Sequence, residues 1–448
     1  MTFASPRFTP VPALARLARR SHVIATYVLV PLLLGWFAFV VVDGAVELRS
    51  TEVRMPTLDV YDPFLDDFTV FYSASSLIQD GDGGKLYQLD VIHAAEAKSL
   101  RSSLDSILVL PFFTPPFAIP LLAPLALFSL SAAAVLWTVF GLGTLAGCAL
   151  ALARQRGPSL TPTLALGWGL AVISSAPFFQ TVLHGQTTFF LIAGWTLLWI
   201  GCFRGRSDWL TAAGLVLIAH KPQLVILPVA FLFLSGQWRP LLKAALVVCA
   251  LTALAVGMTG LRIVPDHVRL LLSAGTWDDT NGISTWGMFG WNAFSRGLLG
   301  EAQVARMVLT AVLDLGTVVL VIASLRRRCQ MLPPEAVFGV LIFASLLLSP
   351  HVYEHDVLIA ALAAFLLATS GTPAMRALWT AYALAGWFVL YFHLDVLTAT
   401  SVNVSALWLA VGLTLAAYGS PIPHFRFAQF SSRRPRRATM LRQKAGVP

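Results

Sequence analysis

Charge is what this sequence has least of. Charged residues make up 12% of its 448 positions, against 57% hydrophobic ones. A soluble domain carries about 25% charge, so a water-soluble fold is excluded and the chain reads as an all-α polytopic membrane protein. Cysteine is scarce as well. Cys148, Cys202, Cys249 and Cys329 lie in or beside apolar stretches without a CxxC or Cys/His spacing, which excludes a disulfide framework and a zinc site. There is no Walker loop, no GxGxxG, no internal repeat and no likeness between the two halves. The turn Asp80-Gly81-Asp82-Gly83-Gly84 lacks the downstream bidentate glutamate of a calcium loop, so no metal is expected.

What is present is apolar sequence. Twelve spans are predicted, at about 23–42, 131–153, 160–181, 186–203, 208–220, 222–236, 240–260, 303–325, 335–350, 354–370, 374–392 and 402–419. A crossing helix wants ~20 residues. The stretches 208–220 and 222–236 are short and split at Lys221-Pro222, the pattern of helices bordering a polar cavity. The apolar segment 111–128 holds Pro111, Pro115, Pro116, Pro120 and Pro124. Proline removes backbone bonds that lipid cannot replace, so this segment reads as re-entrant or interfacial.

Charge sets the orientation. With the N-terminus inside and 111–128 not crossing, the short arginine-bearing segments all fall inside, and of the 22 acids only Asp208 and Glu335 do. That is the positive-inside distribution. The net charge of +9 therefore reports topology and excludes nothing but the need for nucleic acid. The first span follows a basic start without a small-residue cleavage site and reads as an anchor. One membrane domain is expected over 1–420, with outer loops at 43–113 and 261–302 and a basic cytoplasmic tail at 421–448 that can meet membrane lipids. This topology is that of a bacterial inner (plasma) membrane protein.

The same topology sorts the polar residues. Asp66-Asp67, His184-Gly185-Gln186, His220-Lys221, the loop 261–302, the segment SPHVYEHD (349–356) and His393-Leu394-Asp395 all reach the outer side. Ionisable groups at membrane depth are costly and mark cavities or pathways. Asp314, midway along 303–325, stands outside this grouping. Asp66 and Asp67 lead the set, because the aromatic residues Phe68, Phe71 and Tyr72 follow them directly.

The run DFTVFYSASSLI with GGKLYQLD resembles the first-loop motif of glycosyltransferase family 87, the polyprenyl-phosphate-sugar-dependent enzymes that include phosphatidylinositol mannosyltransferases, of the GT-C superfamily. The likeness continues in order through FTPPFAIPLLAPLALFSLSAAAVLW (113–137), HGQTTFFLIAG (184–194), AGLVLIAHKPQLVILPVAFLFLSGQWRP (213–240) and SPHVYEHD. The chain departs where His355-Asp356 replaces the two adjacent histidines frequent in the family, and 287–300 matches only loosely.

The resemblance implies a GT-C-like fold and transfer of a mannose-like hexose from a polyprenyl-phosphate-sugar donor to a lipid or glycan acceptor, with inversion and no cofactor. Asp67 is then the expected base, with Asp66 the second candidate. Lys221 is expected to answer the charge on the leaving phosphate. His355 is expected to bind that phosphate or assist proton transfer, with His351 as its rival. Gln186, Tyr72 and Arg296 are expected along the donor; Arg262 and Arg269 are weaker candidates, and Trp277, Trp286 and Trp291 read as interfacial aromatics before sugar platforms. The competing reading is a twelve-span secondary transporter or lipid flippase, which would need a polar inner vestibule and symmetric halves.

Overall fold

The computed structural model describes residues 35, 38, 66–104, 109–156, 160–205, 207–274, 288–328, 332–391 and 404–418. The predicted first span lies outside them save for two positions, as do His393-Leu394-Asp395, Trp277, Trp286, Cys329, the basic tail and the side chain of Asp66. Among the described residues every extended element is helical, and one isolated bridge pairs Met288 with Tyr353.

The first outer segment forms α1 (Asp66–Gln79) and α2 (Leu89–Leu100). They pack side by side, joined by a Ser73 to Ser99 hydroxyl bond of 3.0 Å. The prolines of 116–127 then do what proline must. That segment is a run of short 3₁₀ and α turns, none long enough to cross a bilayer.

Among the described residues three helices are long and apolar enough to span: α3 (Leu130–Arg156), α9 (Trp238–Thr259) and α12 (Gln303–Arg328). The stretch expected as one span at 160–181 is two helices, α4 (Pro162–Ile173) and α5 (Ala176–Leu183), bent by 56°. The break has a local cause. The Ser175 hydroxyl accepts from the Phe178 N–H at 3.3 Å and starts a new helix with Pro177 in its first turn. The remaining apolar helices are short: α6 (Thr188–Leu198, extended by a π turn to Arg204), α7 (Asp208–Ile218), α8 (Pro222–Leu234), α13 (Pro334–Leu348), α14 (Leu358–Ser370) and α16 (Val404–Tyr418), beside α15 (Pro373–Tyr391). Two amphipathic helices, α10 (Ile263–Ala274) and α11 (Trp291–Leu299), follow α9.

At the centre stands α13, apolar all round and buried along nearly its whole length, as a helix surrounded by helices must be. Trp195 and Trp199 of α6 set their rings edge-on against Phe338. Without water to drive them together, membrane helices associate through close packing of small residues. The α6–α7 pair shows it. A β-carbon at Gly194 would stand 2.9 Å from the Gly214 carbonyl oxygen, and one at Gly214 would stand 2.6 Å from that of Gly194. This contact fixes the start of α6 against the end of α7, where the polar residues lie.

Helices α3, α6 and α13 each run between two polar clusters. Their far ends bring Arg156, Arg204 and Glu335 together. Their near ends carry the candidate site.

Candidate active site

The chain enters α6 through the turn His184-Gly185-Gln186. Gly185 has φ of +63°, a conformation that costs a β-carbon-bearing residue and not glycine. That turn is clasped from outside. The Phe68 N–H donates to the His184 carbonyl at 3.1 Å, and the Trp137 indole N–H donates to the Gly185 carbonyl at 2.7 Å. Phe68, Phe71 and Phe189 pack around the same indole at centroid distances of 5.7, 5.7 and 5.0 Å. The aromatic residues after the acidic pair thus dock the head of α1 onto the α5–α6 turn.

Docking places Asp67, half-buried in the first turn of α1, against Gln186. The Gln186 amide Nε2 donates to the Asp67 carboxylate, and Gln186 itself is buried. Behind them lies Glu96 of α2, 2% exposed. One of its oxygens accepts from the Leu110 N–H at 3.2 Å, and the other is buried without a partner. Burial, with the charge of Asp67 adding to it, pushes the Glu96 carboxyl up to about 8.

The second half of the site forms where α7 stops. Pro222 opens α8 with Lys221 as its N-cap. The Lys221 N–H closes the end of α7 by donating to the Ile218 carbonyl at 3.1 Å, and its carbonyl accepts from the Leu224 N–H at 2.9 Å. Its Nζ lies 2.5 Å from Asp356 Oδ1 and 3.2 Å from His355 Nε2. Asp356 is 1% exposed and His355 is 7% exposed. The Lys221 ammonium can only donate, so the His355 Nε2 beside it is the unprotonated nitrogen of a neutral ring. The halves are stitched by His220, whose Nε2 meets the Thr187 hydroxyl at 3.0 Å. The segment 349–356 is braced from the α10–α11 connection by the Phe289 N–H donating to the Val352 carbonyl at 2.8 Å.

The sequence profile of glycosyltransferase family 87 matches residues 112–350, more than half of the chain. The chain belongs to glycosyltransferase family 87. No curated protein and no solved structure matches it. Membership makes this membrane protein a glycosyltransferase, with a sugar donor and an acceptor. The matched stretch carries Gln186 and Lys221; the His355-Asp356 pair follows closely after its end, and Asp67 lies well before its start.

Not every expected residue of this family 87 chain joins the cluster. Tyr72 donates its hydroxyl to the Phe128 carbonyl at 3.0 Å. Arg296, buried on α11, faces Glu301 at 4.0 Å. Arg269 pairs with Asp266. Trp291 is a core anchor, its indole N–H donating to the Thr317 hydroxyl at 2.8 Å. His351 is half-buried; its carbonyl accepts from Gln223 Nε2 at 3.2 Å, and burial lowers its imidazole. Asp80 and Asp82 of the glycine-rich turn pair with Lys98 and Lys85 at 2.9 and 2.8 Å. Two residues of the cluster escape a reading of the sequence: Glu96, which sits in no motif, and Asp356 as the partner of Lys221. The second had a signal, since a lone lysine at membrane depth requires a counter-charge.

Proposed function

We propose that this family 87 glycosyltransferase moves a hexose, mannose first among candidates, from a polyprenyl phosphate to a hydroxyl of a lipid or glycan acceptor, as phosphatidylinositol mannosyltransferases do. The observation that carries this reading is the pairing of functions at one end of the bundle: a carboxylate oriented by Gln186 beside a lysine and a neutral histidine. Asp67 takes the acceptor's hydroxyl proton as the oxygen attacks the anomeric carbon. The bond from that carbon to the phosphate oxygen breaks, and its electrons leave on the polyprenyl phosphate monoester. Lys221 offsets the charge that grows there. One displacement inverts the anomeric centre, so a β-linked donor gives an α-linked product. Asp66 remains the second candidate for the base, and His355 assists at the phosphate.

Twelve spans with both termini cytoplasmic and the site on the outer face of the bacterial inner membrane complete the reading. The residues that meet at the far end, Arg156, Arg204 and Glu335, are those that the charge distribution assigns to one side, which supports it. Purified protein in lipid vesicles, given β-linked polyprenyl-phosphate-mannose and envelope lipid extract, is expected to yield an α-linked mannolipid, read by mass spectrometry and glycosidase digestion. No transfer from any polyprenyl-phosphate sugar would overturn the donor assignment. For sidedness, single cysteines at Ser103 and Ser235, in a cysteine-free background, are to be treated with an impermeant thiol reagent on intact cells. Ser103→Cys is expected to react and Ser235→Cys to stay protected; the reverse pattern inverts the topology.

A further inference from the structure

Lys221 does not face the site as a bare cation. Asp356 stands 2.5 Å from its Nζ, and Asp356 is itself fixed by the turn that carries His355. Its backbone N–H donates to the Tyr353 carbonyl at 3.0 Å, and its Oδ2 accepts from the Tyr353 N–H at 3.4 Å. Only Lys221 of this pair reaches solvent, with 18% of its side chain exposed against 1% for Asp356. An ammonium has protons to give and no lone pair, so the His355 Nε2 at 3.2 Å is the bare nitrogen of its ring. Any anion that meets Lys221 therefore meets a cation already facing a carboxylate that cannot move away.

We propose that Asp356 is a positioning residue that tempers Lys221, so that the site holds a phosphate diester yet lets a phosphate monoester go. The inference rests on the polyprenyl-phosphate reading above. The donor phosphate is a diester with one ionised oxygen. The product is a monoester whose second proton leaves near pH ~6. Attraction to a fixed charge rises in proportion to ligand charge, and more steeply where water is scarce. A lone, half-buried ammonium would grip the product harder than the substrate and stall turnover. A carboxylate held against it turns the monopole into a short dipole, whose pull gains less from the second charge, and the carboxylate repels the dianion more than the monoanion.

The test measures binding of farnesyl phosphate and of its methyl diester to the full-length protein in nanodiscs, with transfer assayed in parallel. In Asp356→Asn the monoester is expected to bind about tenfold tighter than in wild type, the diester to change much less, and transfer to become inhibited at correspondingly lower farnesyl phosphate. Asp356→Glu is expected to restore the wild-type ratio. In a Lys221→Ala background, Asp356→Asn is expected to shift the ratio much less than in wild type, because no lysine is left to unmask; an equal shift in the two backgrounds overturns the tempering of Lys221. An unchanged monoester-to-diester ratio in folded Asp356→Asn overturns the inference while transfer by wild type sustains the donor reading. Wild type that neither binds these ligands nor transfers overturns both. Should Asp356→Asn not fold, wild type decides: a preference for monoester over diester beyond about tenfold overturns the proposal.

Discussion

Each end of the bundle buries an ion pair, and the two are built from different cations. At the far end Arg156 meets Glu335 at 2.9 Å, with side chains 3% and 8% exposed. Its second terminal nitrogen donates to the Leu366 carbonyl at 3.1 Å, and Arg204 reaches the same Glu335 oxygen at 3.4 Å. The Trp199 ring lies 5.6 Å from one guanidinium and 5.5 Å from the other. At the near end Lys221 meets Asp356 and His355. A guanidinium is a rigid planar fork that spreads over carboxylate, carbonyl and ring at once, whereas an ammonium is a compact charge on a flexible stem. The first arrangement is a fastener for α3, α6 and α13. The second leaves a partly exposed cation that can take a new partner. The near-end cation stands instead at the α7–α8 junction, against the turn that precedes α14, and the two pairs differ in the cation's geometry and in what stands beside it.

The largest effect expected belongs to the near end. Asp67→Asn keeps the size of the side chain and removes the base, so transfer should fall by at least ~10²-fold, the lower bound for base catalysis. Melting temperature and diester binding should stay near wild type. Full transfer by this variant would separate the near-end cluster from the chemistry altogether.

The next prediction sets the two ion pairs against each other. Glu335→Ala strands a buried guanidinium, and loss of one partner of a buried pair costs about 3–5 kcal/mol. Its melting temperature should drop while activity per folded molecule holds. Lys221→Ala should lose donor affinity with a smaller loss of stability, because His355 Nε2 stands 3.7 Å from Asp356 and can take up a proton to replace the lost cation. Lys221→Arg should keep part of the activity. Equal destabilisation by Glu335→Ala and Lys221→Ala would erase the distinction between fastener and site.

The smallest effect concerns Glu96. Its carboxyl is raised from an ordinary 4.5 to about 8, so between those values the folded protein holds a proton that the unfolded chain has released. Stability from this group is therefore lost as pH rises from about 4.5 to about 8 and is flat beyond. Glu96→Gln keeps the bond to Leu110 and should abolish that slope. Identical melting–pH curves for the two proteins would show that the carboxyl titrates normally.

Several of these features are legible in the residue order alone. The break at Lys221-Pro222 announces itself, because proline opens helices and does not continue them. Ser174-Ser175-Ala176-Pro177 carries the same kind of signal, and one straight span over 160–181 ignores a serine cap followed by proline. Glu96 is not legible. Its place behind Asp67 follows from α1 lying along α2, and its helix shows no pattern that sets this acid apart from its neighbours. Asp356 is visible only as a departure from a histidine pair, since its partner lies 135 residues away.

Sequence by itself determined the membrane class, the helical composition, the polar stretches and, through its motifs, the family. These depend on local properties: hydropathy summed over a span, the backbone demands of proline and glycine, and residue order. Only the tertiary structure decided which polar groups meet. Asp67 with Gln186, Lys221 with Asp356, and Arg156 with Glu335 are joined across long stretches of chain by helices whose relative placement rests on close contacts such as Gly194 against Gly214. Coulomb and hydrogen-bond energies depend on distance in space, and distance along the chain does not carry it.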